Sequence, residues 1–486
     1  MNMNMNRQKI NYFIIFIHFL ISGIVTISCI ESEKSIIQKN DQYSSEITFN
    51  NVPSIIKKNN STINNSSEEF LKISDQGIIK IAACVDMQVP CNANREQAAK
   101  AILFMGNSQN KLFIKPLIDI LWIENSFKDI INEALNKLTG KYFSTASEWE
   151  SWSVKQDFLQ MPDNYVEIKS EIYSKIDKQY SKIIKNEYNT HIPMETLKWI
   201  GASAQVIPEI NSSKLISSNE QNYLKDDDLI IGINVNGKDY AYPLKILRWH
   251  GIINEEISDK SFVIVYCPTM NIATVFENKP VGNLSLSSLF LDQQCLMQND
   301  DGVLINAENG IYNNGYKQLK RMPMIQTTWK FWKTYNPNSK VLSKDTGYLI
   351  DYNDNEIPYW ISIINPKNIE LEYVKYNQNS TYNSLVQYEY QGQSVSHLLY
   401  RVYDYRIIYD NFTNQKILTI IFDNGIGART FLAPPKEIIQ ISYTNKNGWL
   451  AKDIDNIYWF ISSNGLINQD DSSFYSEISN YISIKT

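Results

Sequence analysis

The densest hydrophobic patterning in the chain runs from residue 229 to residue 276. Leu229–Val235 is a β-branched run, Asn236-Gly237 tolerates positive φ at two successive positions, and residues 238–242 alternate, so the stretch predicts a two-residue hairpin. Pro243 ends it, because proline cannot donate to a ladder, and it suits the first position of a helix. Leu244, Ile246 and Leu247 then predict one or two helical turns carrying Trp249 and His250. Asp259-Lys260 turns the chain into two further strands, 262–267 and 272–276, the first ending at Tyr266 and Cys267.

Between Arg95 and Gly140 the period changes to that of a helix. Ala98, Ala99, Ile102 and Leu103 form one stripe, Phe113, Pro116, Leu117, Ile120 and Leu121 a second, and Ile130, Ile131, Ala134, Leu135 and Leu138 a third, closed by Gly140. Three short helices with narrow connections resemble a HEAT-like repeat fragment, and an ordinary small helical bundle fits the same spacing. Trp149, Trp152 and residues 165–186 continue this helical part.

The hairpin pattern recurs downstream. Residues 236–276 align without a gap against 391–431 at a constant offset of 155 (392 − 237), with Gly237/Gly392, Leu244/Leu399, Ile252/Ile407, Ile253/Ile408, Ala273/Ala428 and Phe276/Phe431 identical. The shared positions are a turn glycine and apolar residues, which any copy needs for packing. His250, Trp249, Asn254 and Cys267 face Tyr405, Asp404, Tyr409 and Phe422, so they are not needed to build the unit and become candidate site residues.

Composition changes the picture in three ways. Hydrophobic residues make up 43% of the 486-residue chain and the formal charge is −6 without long single-sign blocks, which describes a globular protein and argues against a nucleic-acid partner. At the N-terminus, Arg7 and Lys9 precede an uncharged apolar run from Tyr12 to Ile27, read as a secretory signal or a retained signal anchor over residues 1–29. Residues 30–76, rich in Asn, Ser and Lys, read as a mostly disordered linker, with Asn-x-Ser/Thr strings at Asn60 and Asn65 that could carry glycans in a eukaryote. Export would place the chain outside the cell or on a membrane through that segment alone. There Cys84, Cys91, Cys267 and Cys295 become disulfide candidates. Cys84 and Cys91 are close enough to staple a loop, and Cys295 is the nearest downstream thiol that could partner Cys267.

A family resemblance is carried by several blocks in order: KWIGASAQVIPEI, then LIIGINVNGKDYAYPLKILRWHGIIN, VIVYCPTMNIATVF, IQTTWKFWKTYNP and TGYLIDY. These resemble the domain-of-unknown-function 3179 family over roughly residues 130 to 360. The resemblance implies no settled activity. Family members typically carry a second cysteine three residues after the first, where this chain has Met270 after Cys267. A Cys-x-x-Cys redox couple is therefore excluded.

Other chemistry finds little support. The chain has no glycine-rich phosphate loop, no G-x-S-x-G elbow and no H-E-x-x-H helix. Past the N-terminal segment only His191, His250 and His397 remain, too few for a tetrahedral metal site with scattered cysteines, and the Asp226-Asp227-Asp228 triplet lacks the further ligands of a Ca²⁺ loop. No cofactor is expected, and the partner, a small molecule or a protein, stays open. The expected fold is α+β: a helical, HEAT-like domain at 77–195, then a mostly antiparallel β-rich domain at 196–486 with repeat units at about 225–280 and 380–435. A binding or structural module is the leading reading, with Trp249, Asn254 and Tyr266 as ligand contacts. The alternative is a thiol-dependent enzyme in which Cys267 acts beside His250.

Overall fold

A computed structural model describes residues 70–484, apart from 85–94, 353–357, 362–383, 400–404 and shorter gaps at 124, 157–158, 212, 269, 271, 292–293, 359, 424–425, 445–447, 463–464 and 479. The signal segment, most of the expected linker, its Asn-x-Ser/Thr strings and Cys91 lie outside the described residues. Among the described residues no helix is long and apolar enough to cross a membrane.

The helical part comprises α1 (Asp75–Ala82), α2 (Arg95–Asn107), α3 (Ile114–Ile123), α4 (Lys128–Thr139), α5 (Ala146–Ser153), α6 (Tyr165–Tyr173) and α7 (Gln179–Ile184). Gly140 closes α4 at φ 70, as its place after the third stripe predicts. The buried face of α2 is Ala98, Ala101, Ile102 and Met105, rotated from the expected stripe so that Ala99 and Leu103 are only partly covered. Gly106 sets that rotation: a Cβ there would lie 2.7 Å from the Ala134 backbone, so α2 and α4 touch through it. Helix α3 is the hub, packed by α1, α4, α5 and α6. That is a bundle around one helix, the second arrangement the spacing allows, and nothing else supports a HEAT repeat.

The β part begins with short β1 (Lys198–Trp199), β2 (Ile210–Asn211) and β3 (Leu215–Ser217). It continues with β4 (Leu229–Val235), β5 (Lys238–Pro243), α8 (Leu244–His250), β6 (Ile252–Ile257), β7 (Lys260–Cys267) and β8 (Ile272–Glu277). Asn236 and Gly237 turn the hairpin at φ 51 and 77, both positive as a type I′ turn requires. Strand β6 was not expected. Its polar run Asn254-Glu255-Glu256 hides it, because Asn254 and Glu255 are buried on opposite faces and so break the alternation a strand usually shows. After it come β9 (Ser285–Leu291), β10 (Gln294–Gln298), β11 (Leu304–Asn306), β12 (Ile311–Tyr312), β13 (Lys317–Gln318), β14 (Ile325–Thr328), α9 (Trp329–Tyr335) and β15 (Lys340–Leu342).

These elements stack in layers. The sheet β14-β4-β5-β15-β3 faces the sheet β2-β6-β7-β8, which in turn faces β1-β9-β10-β11, and the helices cover the far side of that third sheet. Strand β7 lies in the middle layer. Phe262, Ile264 and Tyr266 point into one core and Val263, Val265 and Cys267 into the next, which is why its sequence is a continuous apolar run. On the outside of the first sheet, Trp329 and Trp332 of α9 cover Ile230, Ala241 and Val341. Trp199, Leu289, Leu296 and Leu304 share a core with the helices, so helical and β-rich parts meet through a continuous apolar layer.

The second half of the chain carries β16 (Ser384–Tyr390), β17 (Gln393–Leu399), β18 (Arg406–Phe412), β19 (Gln415–Phe422) and β20 (Gly427–Leu432). Then follow β21 (Ile438–Thr444), β22 (Gly448–Asp453), β23 (Tyr458–Ser462), β24 (Gly465–Asn468), β25 (Phe474–Ile478) and β26 (Asn480–Ile484). The sheet β18-β19-β20-β25-β24-β23-β22-β21 closes over a core of its own containing Leu418, Phe431, Ile441, Ala451 and Trp459. Hairpin β16–β17 and meander β18–β19–β20 repeat β4–β5 and β6–β7–β8 at the offset read from the sequence. Val235↔Lys238, Ile257↔Lys260 and Cys267↔Ile272 in the first copy become Tyr390↔Gln393, Phe412↔Gln415 and Phe422↔Gly427 in the second. The turn pair matches too, Gln391 and Gly392 at φ 49 and 73.

Candidate functional site

The residues singled out by the sequence are dispersed through the layers. Cys267 ends β7, and its sulfur is bonded to Cys295 of β10 with Cα atoms 5.7 Å apart. The bridge ties the middle sheet to the third, and it leaves no thiol at Cys267 to act as a nucleophile. Cys84 is also disulfide-bonded.

His250 lies at the end of α8, fully buried. Its Nδ1 is 2.5 Å from the carbonyl oxygen of Pro208, which can only accept, so Nδ1 carries the proton. Nε2, 2.6 Å from the Tyr352 hydroxyl, therefore accepts from it, and that hydroxyl in turn meets Thr346 Oγ1 at 2.5 Å. Burial holds the imidazole neutral and lowers its pKa to about 4, against the opposing Pro208 hydrogen bond. Both ring nitrogens are thus engaged in a chain that fastens α8 to the segment around Tyr352, and the imidazole is not poised on Cys267.

The expected ligand contacts are interior as well. Asn254 donates to Leu284 O and Asn211 Oδ1, each at 2.8 Å, and accepts from Leu284 N at 2.9 Å, a clasp between β6 and the start of β9. Tyr266 is buried, with its amide donating to Gly251 O at 2.8 Å. Trp249 is half-buried against the first core, and its indole nitrogen has no acceptor among the described residues. Of the acidic triplet, Asp228 is buried in an ion pair with Lys245 at 2.7 Å. Among the described residues no group of His, Cys, Asp and Glu side chains could hold a metal ion.

What the structure does open is a cleft of ≈ 320 Å³ at the seam between the two copies. From the first copy come Gly232, Ile233, Asn234 and Asp239 of the β4–β5 hairpin, and from the second Ile420, Phe422, Arg429 and Phe431 of β19 and β20. Phe331 and Trp332 of α9, with Trp449 of β22 and Glu477 of β25, complete the walls. Thr328 holds α9 in place. Its Oγ1 caps the helix by accepting from Phe331 N at 3.2 Å, while Asp423 of the second copy accepts from Thr327 Oγ1 at 2.7 Å and Thr328 N at 2.9 Å. Phe331 then stacks between Phe422 (5.0 Å, 18°) and Trp449 (5.8 Å, 23°). Gly232 is required beneath this wall, because a Cβ would sit 2.1 Å from the Trp332 ring.

The polar end of the cleft is ordered by charge pairs. Arg429 binds Glu477 with two parallel hydrogen bonds, Nε to Oε1 at 2.8 Å and Nη2 to Oε2 at 2.6 Å, and Nη2 also reaches Ser462 O at 2.7 Å. Burial raises the pKa of Glu477, opposed by Arg429. Asp239 accepts from Asn234 at 2.8 Å; burial raises its pKa, while Asn234 and Arg429 draw it back. None of these cleft residues was expected from the sequence. The one available signal is the offset alignment itself: Arg429 and Phe422 stand where the first copy has Thr274 and Cys267, as copy-specific as His250 and Cys267.

Residues 204–431, which span both copies, match the family described as "Protein of unknown function (DUF3179)". The match covers 228 of the 486 residues (431 − 204 + 1), so the likeness to that family is that of this segment. No curated protein and no solved structure gives a significant match. The DUF3179 description names no activity.

Proposed function

We propose that the chain is an exported binding module that takes a small ligand in the cleft between its two copies. The observation that carries this reading is the cleft: concave, aromatic on one side, with a small set of convergent polar groups, and in the size range of ~300–1,000 Å³ usual for ligand sites. The thiol-dependent alternative is less supported, since Cys267 is bonded and buried. Export draws on Arg7, Lys9 and the apolar run after them, and paired cysteines suit an oxidising compartment. Sequencing the N-terminus of the native protein checks that part: a start beyond about residue 29 supports export, and a start at Met1 counts against it.

The binding reading is tested by a thermal-shift and ligand-observed NMR screen of a chemically mixed small-molecule library. Ile461 lines the cleft and is only partly buried, so Ile461→Trp narrows it from the rim. Compounds that bind the wild type and are lost in a folded Ile461→Trp variant support the proposal. A library without hits, or hits indifferent to that variant, overturns it.

A further inference from the structure

Resting on that reading, we propose that the ligand class is a neutral, polyhydroxylated ring, that is, a saccharide, held by Asp239, Arg429 and Trp449. The argument turns on which hydrogen-bonding atoms of the cleft are spent and which are open. Glu477 is consumed by Arg429, and Asn234 is consumed by donating to Asp239 Oδ1 and accepting from Gly237 N at 3.0 Å. Among the described residues Asp239 Oδ2, Arg429 Nη1, the Trp449 indole N–H and Asn336 Oδ1 have no hydrogen-bond partner, and all four residues are half-exposed and line the cleft. Open acceptors and open donors therefore line the same cleft.

Charge narrows the ligand further. An anion finds no net positive site, because the one guanidinium is already neutralised by Glu477 and Asp239 adds a second carboxylate. A cation would seek an aromatic face, yet Phe331 is stacked against both Phe422 and Trp449, and the face of Phe431 is taken by Arg429 at 5.0 Å from the ring centroid. What fits is an uncharged molecule whose groups each donate and accept, which describes a hydroxyl. Vicinal hydroxyls would give a proton to Asp239 Oδ2 and accept from Arg429 Nη1 and the Trp449 N–H, while the ring's C–H face lies against the aromatic wall of Trp332 and Phe422. These donors and acceptors are half-exposed, so a deoxy analogue should bind more weakly by the loss of one hydrogen bond rather than be rejected outright.

The experiment is a tryptophan-fluorescence titration with saturation-transfer NMR on the full chain. The neutral probes are glucose, galactose, N-acetylglucosamine and cellobiose, with choline and inorganic phosphate as charged probes. At least one neutral sugar is expected to bind, with saturation concentrated on its ring C–H protons and affinity reduced tenfold or more in Asp239→Ala. Trp449→Phe, which keeps the ring and removes the N–H, should weaken binding by a smaller factor and guards against a folding defect in the first variant. Binding of choline or phosphate in the cleft without any sugar overturns the saccharide assignment and leaves the cleft a binding site. Sugar binding unaffected by both substitutions overturns the assignment of these residues.

Discussion

The two copies of the hairpin-and-meander unit share every cross-strand register and differ in what surrounds them. The meander of the first copy is a middle layer with a core on each face, and β6 reads buried at four successive positions, Ile252 to Glu255. The meander of the second copy opens an eight-stranded sheet, and β18 is only partly covered along its length. Equivalent positions follow this difference. Cys267, bridged to the next layer, becomes Phe422 in the cleft wall, and Thr274, which bonds Ala307 O at 2.8 Å, becomes the cleft's Arg429. One pairing is kept in changed form: Tyr242 faces Glu255 in the first copy, and at the same offset His397 faces Asp410 at 2.6 Å in the second. The comparison teaches that a duplicated β unit keeps its backbone hydrogen bonds and turn, while burial decides which copy can expose polar chemistry.

The sharpest way to break this comparison is to give the second copy the first copy's residue. Arg429→Thr leaves Glu477 as an unpaired buried carboxyl and should destabilise by about 3–5 kcal/mol in urea unfolding. A loss below about 1 kcal/mol would mean the pair does not order the cleft.

Next in size is the bridge. Replacing Cys267 and Cys295 together by Ala opens a loop whose ends are 28 residues apart and should cost about 3–4 kcal/mol in the chain-entropy view. The same loss should appear when the wild type is unfolded under reductant. Unchanged midpoints under both conditions would show that the first copy does not depend on the staple between layers.

Acidity distinguishes the copies more gently. Burial raises the pKa of Glu255 to about 7 against hydrogen bonds from Ser213 and Tyr242, so the folded state holds this proton more tightly than the unfolded chain, whose value is 4.5. That contribution to stability is fully present below about pH 4.5 and is lost as pH rises through about 7. Glu255→Gln should therefore match the wild type in acid and exceed it by about 3 kcal/mol above pH ~8. His250 works in the opposite sense, its pKa lowered from 6.5 to about 4, so its contribution is lost as pH falls through that window, and it cancels in the comparison of wild type with Glu255→Gln. A pH-independent difference between the two proteins would remove Glu255 as its source.

The smallest expected effect is the one that should be equal in both copies. Gly237 and Gly392 have φ of 77 and 73 with open space where a Cβ would go, so Gly→Ala at either costs only the backbone term, about 1 kcal/mol. Clearly unequal losses would show that the two turns are not built alike.

Much of this architecture was legible because it rests on local rules. The Asn-Gly turn, the Pro243 boundary, the Gly140 cap and the doubly apolar run of β7 each follow from neighbouring residues, and the offset alignment located both copies from a turn glycine and apolar spacing. Strand β6 was missed for the opposite reason, since its buried Asn254 and Glu255 take their partners from residues 211, 213, 242 and 284. The candidate site shifted on the same grounds. His250, Trp249 and Cys267 stood out because a second copy lacks them, but absence from a copy equally marks residues that fit one copy into its layers.

The sequence by itself determined the α+β class, the hairpin register, the duplication and the likeness of its middle segment to the DUF3179 family, because turns, periodicity and repeats are written in residues close together. Only the tertiary structure decided that Cys267 meets Cys295, that His250 is spent between Pro208 and Tyr352, and that Asp239, Phe331, Arg429, Trp449 and Glu477 converge. These cleft residues are separated by up to 238 positions (477 − 239) and come from two sheets and a helix. No local pattern marks them, and their chemistry arises from burial and from charges that folding alone brings within reach of each other.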